Sequence, residues 1–81
     1  MSWKEENGSL TRTFKTPDFI TAFNLVSAAV SPSEDLNHHP DILFGWGYVR
    51  IAITTHDSGG ITALDHRLAQ AIDVAIKPFD L

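Results

Sequence analysis

The sequence predicts an α+β fold in which the elements run ββαββα and a four-stranded antiparallel sheet carries two helices on one face. Two observations predict this fold. Each half of the chain has a pair of short segments rich in β-formers, and each pair is followed by a segment with helical periodicity. No linker or low-complexity stretch divides the halves, so the 81 residues are predicted to form a single domain, residues 1–81.

The predicted strands form two hairpins. They cover residues 3–6, 9–14, 42–46 and 49–55. Asn7-Gly8 is a turn dipeptide because both residues tolerate positive φ, and Gly47-Tyr48 is short enough to turn the second hairpin. In the last strand Val49, Ile51 and Ile53 alternate with polar or small residues, so one face of the sheet is predicted to be core.

The first helix is predicted to begin with Thr16 as N-cap and Pro17 as the first helical residue. Apolar residues then recur at spacings of three and four, which predicts a core-facing stripe of Phe19, Ala22, Phe23, Val26 and Val30. Pro32 has no backbone N–H, so it is predicted to end or kink the helix near Val30.

The second helix is predicted to start at a capping box, with Thr62 as N-cap and Asp65 at the third helical position. Its predicted apolar side is Leu64, Leu68, Ala71, Ile72 and Ala75. Lys77-Pro78 should end it, because proline cannot continue a helix.

The composition of the chain excludes some classes of function and disfavours others. The net charge is -4 and Lys and Arg are not clustered, which disfavours direct binding of nucleic acid. The chain has no cysteine, so disulfides and thiolate metal sites are excluded. No apolar run approaches the roughly 18 residues of a membrane span. The charged start, Met1-Ser-Trp-Lys-Glu-Glu6, is unlike a signal peptide, and a cytoplasmic location is expected.

Histidines are the candidate chemical groups. His38 and His39 directly precede the third predicted strand, and His56 directly follows the fourth. Because these strands form a hairpin, their outer ends should be neighbours and the histidines should line one end of the sheet. Glu34 can approach them from the preceding segment. The ordinary pKa of histidine is about 6.5, so imidazoles facing one pocket suit proton transfer near neutral pH.

Other interpretations of these residues stay open at this point. A pair of adjacent histidines is often no more than an exposed helix end, and three histidines could hold zinc. Asp65 supports the start of the second helix without any chemistry, and hydrophobic packing is the simplest role for Trp46. His66 is expected to be a solvated helix residue.

The spacing of these residues resembles the signature of the pterin-4a-carbinolamine dehydratase family. The matching string is Glu34-x-x-x-His38-His39-Pro40, five residues, Trp46, nine residues, His56, eight residues and Asp65. Segments such as Leu10-Thr-Arg-Thr-Phe14 and Gly60-Ile-Thr62 also look like family positions. The resemblance runs from about Trp3 to the end of the last helix.

The resemblance implies a reaction and a set of site residues. The family eliminates water from 4a-hydroxytetrahydrobiopterin to give quinonoid dihydrobiopterin, with no metal or redox cofactor. The implied acid/base residues are His38 and His56, while His39 would help to hold the pterin. The implied substrate-binding residues are Glu34, Pro40, Trp46, Thr55, Asp57 and Asp65.

The resemblance also carries expectations about assembly and about a rival role. The family forms dimers through sheet edges and often tetramers through helices, so a homodimer, or a tetramer built from it, is expected. Family members usually have a helix before the first strand, which this sequence does not show before Trp3. Pro32 lies where the family helix runs on toward the acid, which predicts a changed placement of Glu34. The rival role is that of a non-catalytic, dehydratase-like interaction protein, either an assembly factor or a coactivator.

Overall fold

The computed structural model of the protein describes residues 3–80 and has the predicted α+β order. Its elements are β1 (Lys4–Glu6), β2 (Ser9–Lys15), α1 (Phe19–Leu36), β3 (Asp41–Gly45), β4 (Tyr48–Ile53) and α2 (Ala63–Ile76). Short 3₁₀ helices follow β4 and α2, at His56–Ser58 and Lys77–Phe79. All strand pairs are antiparallel and the sheet order is β1-β2-β4-β3. Among the described residues no helix is both long and apolar enough to cross a membrane.

The first hairpin turn is as predicted and the second is displaced by one residue. Asn7 and Gly8 have φ of 51° and 80°, which suits a tight turn between β1 and β2. In the second hairpin Gly45 pairs with Tyr48, so the turn is Trp46-Gly47 and not Gly47-Tyr48. Tyr48 belongs to the strand because it also pairs with Lys15 of β2. Both β3 and β4 therefore begin and end earlier than the sequence indicated.

The N-cap of α1 is Asp18, and the prediction of Thr16 was wrong. The Asp18 carboxylate accepts a hydrogen bond of 2.8 Å from the backbone N–H of Thr21. The hydroxyl of Thr21, and after it this backbone N–H, hold the pKa of Asp18 below its ordinary value. Thr16 is buried instead and serves the second hairpin, because its hydroxyl donates to the carbonyl of Trp46. A carboxylate directly before the helix is the stronger cap, since it also interacts favourably with the helix dipole.

Helix α1 continues through Pro32, so the predicted end of the helix near Val30 was wrong. A proline removes one backbone hydrogen bond from a helix. Pro32 nevertheless lies within α1, where it is one of the buried residues. The next residue, Ser33, donates its buried hydroxyl to the carbonyl of Ala29 at 2.7 Å. The helix ends only at Asn37, which has φ of 49°. Glu34 therefore lies in the last turn of α1.

The core-facing side of α1 includes only part of the predicted stripe: Ala22 is buried and Val26 packs against the core, as predicted. The buried residues are Ala22, Leu25, Ala29, Pro32 and Ser33. Phe19, Phe23 and Val30, which the sequence analysis placed in the core, are 54%, 52% and 52% exposed. The helix has apolar residues on two faces, and the face with small alanines packs inward because it lets α1 approach α2 and the sheet closely.

The remaining core comes from one face of the sheet and one side of α2. Its members are Leu10, Phe14, Val49, Ile51, Ile53, Leu68, Ala69, Ile72 and Ile76. The predicted alternation in β4 is confirmed. On α2 the prediction was right for Leu68 and Ile72, whereas Leu64, Ala71 and Ala75 are only half-buried. The capping box of Thr62 and Asp65 is present as predicted.

Two truncations on α1 test which face of the helix is core. Leu25→Ala should lower the free energy of unfolding by about 2–5 kcal/mol, because it leaves a cavity at a fully buried site. Phe23→Ala removes a larger side chain from an exposed site and should change it by no more than about 0.5 kcal/mol. Urea denaturation of both variants measures the difference. A larger loss for Phe23→Ala would contradict the packing described here.

Candidate active site

The connection from α1 to β3 and the segment that follows β4 form a cleft at one end of the sheet. Asp41 at the start of β3 pairs with Ala52 near the end of β4, so the segments just outside these residues are neighbours. The cleft between them has a volume of about 310 Å³. It is lined by Asn37, His38, His39, Thr54, Thr55, His56 and Asp57. The three histidines singled out in the sequence therefore line one cleft.

His38 is held from behind by a buried carboxylate. Its Nε2 lies 2.6 Å from Oδ1 of Asp65, which is fully buried in the first turn of α2. The side chain of His38 is 13% exposed, so this hydrogen bond is largely shielded from water. Such a pair is stronger than an exposed one, because solvent screens it less.

Asp65 also accepts hydrogen bonds from the threonines around it. Thr55 donates its hydroxyl to Oδ2 at 2.7 Å, and the backbone N–H of Thr62 donates to the same oxygen at 2.7 Å. Burial by itself raises the pKa of Asp65, but the hydrogen bonds from His38, Thr55 and Thr62 outweigh it and hold the pKa below the ordinary value. The carboxylate is therefore charged at neutral pH.

The second histidine is oriented by a surface carboxylate. Nε2 of His39 lies 2.6 Å from Oε2 of Glu34, and the two side chains are 55% and 68% exposed. Because the pair is open to water, it contributes little to stability. It does hold the imidazole of His39 toward the last turn of α1, where the continuation of the helix past Pro32 places Glu34.

The third histidine starts the 3₁₀ helix after β4. His56 is exposed, and among the described residues its side chain has no hydrogen-bond partner. Its backbone is fixed by the loop around it, since the carbonyl of His56 accepts from Gly59 and the backbones of Thr55 and Gly60 pair with each other. Gly59 has φ of 73°, a conformation that glycine adopts readily. The backbone of His56 is therefore held by the loop, whereas its exposed ring has no hydrogen bond within the described residues.

Some residues implied as substrate contacts lie elsewhere. Asp65 is fully buried behind His38, so it does not face the cleft and cannot contact a ligand there. Trp46 occupies the turn at the opposite end of the β3–β4 hairpin and is 66% exposed. Five strand residues at roughly 3.3 Å each separate that turn from the cleft. Pro40 lies between His39 and β3 but is not among the residues that line the cleft.

Three residues of the site were not predicted as such. Asn37 and Thr54 line the cleft, and Thr62 hydrogen bonds to Asp65. Thr62 was recognised as a helix cap, but its link to the histidines becomes visible only when α2 is packed beside the end of β4. Asn37 had one usable signal, because asparagine is common at the left-handed residue that ends a helix.

The charged groups of the site form separate pairs. His38 and His39 each bind a different carboxylate, on α2 and on α1. Within residues 3–80 no group of three or more His, Asp or Glu side chains converges as a metal ion requires. Two of the three imidazoles in the cleft, those of His38 and His39, are thus held by separate carboxylates.

The fold and the cleft define a small α+β protein with a histidine-lined cleft at one end of its sheet. Residues 1–75 match the sequence model of the family described as pterin 4 alpha carbinolamine dehydratase, and the chain belongs to this family. The resemblance noted from the sequence is thereby confirmed.

Individual relatives agree with the family assignment. One from Prochlorococcus marinus is 46% identical over 76 residues, which are 94% of this chain and 78% of the relative. Another from Nostoc punctiforme is 47% identical over 72 residues, covering 86% of this chain and 75% of the relative. The names of both provisionally call them pterin-4-alpha-carbinolamine dehydratases.

Two solved structures have the same fold. A protein from Brucella melitensis described as a transcriptional coactivator/pterin dehydratase superposes with a TM-score of 0.82 at 32% identity, over 91% of this chain and 81% of the other. A pterin dehydratase-like protein described as a RuBisCO assembly factor in the alpha-carboxysome gives a TM-score of 0.75 at 24% identity, over 93% and 89%. At that identity the second likeness concerns the fold alone.

The lowered pKa of Asp65 predicts how Asp65→Asn will depend on pH. A carboxylate with a depressed pKa stabilises the folded protein in full above its ordinary value of 3.8 and loses this contribution as the pH falls below it. Asp65→Asn should therefore lower the free energy of unfolding at pH 7 by about 1–3 kcal/mol. The gap from the wild type should narrow as the pH falls below about 4.

Urea denaturation at a series of pH values measures this gap. Asp35→Asn is the matched control, since Asp35 is an exposed aspartate of α1 whose carboxylate has no hydrogen-bond or ion-pair partner within residues 3–80. A gap for Asp65→Asn that stays constant down to acid pH would contradict a charged, buried Asp65.

Proposed function

We propose that the protein is a hydro-lyase that dehydrates 4a-hydroxytetrahydrobiopterin to quinonoid dihydrobiopterin and water. The observation that carries the proposal is the meeting of His38, His39 and His56 in one cleft of a chain that belongs to the pterin carbinolamine dehydratase family. The cleft of about 310 Å³ is at the lower end of the roughly 300–1,000 Å³ usual for small-molecule sites, as expected for a compact bicyclic ring.

The reaction needs two proton transfers and no other chemistry. One proton goes to the hydroxyl on C4a, so that it leaves as water, and one is removed from N5. The electron pair of the N5–H bond then forms the C4a=N5 double bond as the C4a–O bond breaks. In this proposal His38 and His56 are the acid/base residues and His39 helps to hold the ring. The reaction uses neither a metal nor a redox cofactor, and a cytoplasmic location belongs to the same proposal.

The pairing of His38 with a charged carboxylate supports its role as base. The negative charge of Asp65 stabilises the imidazolium that forms when His38 accepts a proton. His56 has no such partner among the described residues, and its exposed ring can supply a proton to the leaving hydroxyl from the other side of the cleft. Histidine is suited to both tasks because its ordinary pKa is close to neutral.

Replacing His38 tests the proposal directly. His38→Ala should lower the rate of dehydration of the carbinolamine by about 10²–10⁴, the usual contribution of an acid/base group. The rate is followed spectrophotometrically, without added metal. His66→Ala is the matched control, because His66 is an exposed histidine of α2 that is not among the cleft-lining residues. A rate for His38→Ala equal to the wild type would remove His38 from the mechanism.

The rival role is that of a non-catalytic interaction protein. The relative described as an assembly factor is similar only in fold, so it gives no residue-level support for this role in the present chain. Calorimetric titration with dihydrobiopterin separates the two functions. Saturable binding that His38→Ala or His56→Ala weakens supports the dehydratase, whereas absence of binding together with absence of turnover supports the interaction protein.

We also propose that two copies associate through β3, whose outer edge has no partner strand among the described residues. The other edge of the sheet, β1, carries only exposed Lys4, Glu5 and Glu6, which is typical of an edge protected from pairing. On β3, in contrast, Leu43 is 61% exposed. The stacked rings of Phe19 and Phe44 lie on the helix side of the same edge.

A charge on the β3 edge tests this association. Leu43→Lys should weaken the dimer at least tenfold, or by about 1.4 kcal/mol, because two-fold symmetry places the new charges close together. Sedimentation over a concentration series gives the dissociation constant. Glu5→Lys changes the opposite edge and should leave it unchanged. A wild-type protein that is monomeric at all concentrations, or a Leu43→Lys dimer of unchanged affinity, would contradict the proposal.

A further inference from the structure

We infer that Asp65 holds neutral His38 as the Nε2–H tautomer, so that Nδ1 is the atom through which His38 exchanges protons in the cleft. The first part concerns the free protein and stands on the contacts of these two residues. The second part rests on the proposed function, because it assigns that atom to the dehydration. We also infer that Thr55 and Thr62 are positioning residues, which hold Asp65 and through it His38.

The tautomer follows from the hydrogen-bonding capacity of a carboxylate. An ionised carboxylate can only accept, so a ring nitrogen 2.6 Å from Oδ1 of Asp65 must carry the proton. That nitrogen is Nε2 of His38. A neutral imidazole carries a single N–H, and its other nitrogen is then an acceptor. The free lone pair of neutral His38 is therefore on Nδ1.

Nδ1 of His38 is accessible from the cleft. Within residues 3–80 it has no hydrogen-bond partner, since the bond of this side chain is made by Nε2. In the same range no buried side-chain nitrogen or oxygen lacks a partner, so an unpaired Nδ1 must reach the surface. His38 lines the cleft and its side chain is 13% exposed. The small exposed part of the ring thus includes its proton-accepting atom.

The two threonines keep the carboxylate in place and charged. Thr55 has one hydroxyl proton, and it is donated to Oδ2 of Asp65 at 2.7 Å. The hydroxyl of Thr62 lies 2.9 Å from that of Thr55 and 3.3 Å from Oδ2 of Asp65, so the Thr62 hydroxyl donates either to Thr55, as the shorter contact favours, or directly to the carboxylate. In either arrangement both hydroxyl dipoles point toward Asp65 and stabilise its negative charge. Although Thr55 lines the cleft, its proton is directed away from any ligand.

Neither of the other histidines of the cleft has this constraint. His39 also binds a carboxylate through Nε2, but both partners are more than half exposed and water competes for the bond. His56 has no side-chain partner among the described residues. Of the three cleft histidines, only His38 therefore has its free nitrogen fixed by buried groups, and this makes it the base for N5. Its Nδ1 takes the N5 proton, the C4a–O bond breaks, and an imidazolium across the cleft protonates the leaving hydroxyl.

Nitrogen NMR of the imidazoles tests the tautomer without any assay of activity. The free wild-type protein is labelled with ¹⁵N-histidine and observed at a pH at which the rings are neutral, with His38→Gln used for assignment. The expected result is Nε2 of His38 in the protonated range and Nδ1 in the unprotonated range. The reverse pattern, or the tautomer mixture of free histidine, would overturn the inference.

Variants at Thr55 connect the tautomer with the rate. Thr55→Val removes the hydroxyl at constant shape and should lower kcat at least tenfold, with a smaller effect on KM and with a mixed tautomer at His38. Thr55→Ser keeps the hydroxyl and should restore both the rate and the single tautomer. A Thr55→Val protein with wild-type kcat would refute the positioning role. If the wild type has the expected tautomer but no dehydratase activity, the proposed function fails while the tautomer assignment stands.

Discussion

The site depends on one interaction, the hydrogen bond between the buried carboxylate of Asp65 and the imidazole of His38. It joins the first turn of α2 to the connection between α1 and β3, which are far apart in the sequence. The hydrogen bond from Thr55 adds the end of β4 to the same carboxylate. A buried charge without partners would cost several kcal/mol. All the segments that shape the cleft are therefore required to pack in one arrangement.

Much of the fold could be predicted because its signals are local. Asn7-Gly8, the alternation in β4 and the capping box at Thr62 each depend on neighbours in the sequence, and the structure has all of them. The core face of α1 could not be predicted in this way, since that helix is apolar on two sides. Periodicity identifies an apolar stripe, but only the fit of small alanines against α2 and the sheet decides which stripe is buried.

The site, in contrast to the local features of the fold, could be predicted only in part from the sequence. The meeting of His38 and His56 followed from hairpin topology alone, because the outer ends of two paired strands are neighbours. The position of Asp65 behind His38, and of Trp46 at the far end of the hairpin, required tertiary packing and side-chain direction. A sequence signature gives the residue types of a site, but it does not distinguish a residue that contacts a ligand from one that positions a neighbour.

That distinction bears on why Asp65 is buried. A carboxylate at the third position of a helix supports the capping box equally well when it is exposed, and an exposed one avoids the cost of desolvation. Here Oδ2 is sufficient for the cap, since it accepts from the backbone of Thr62. Oδ1 is bonded to His38 alone. Helix capping explains the hydrogen bond that Oδ2 accepts. The orientation of His38 explains the hydrogen bond at Oδ1 and the burial of the carboxylate.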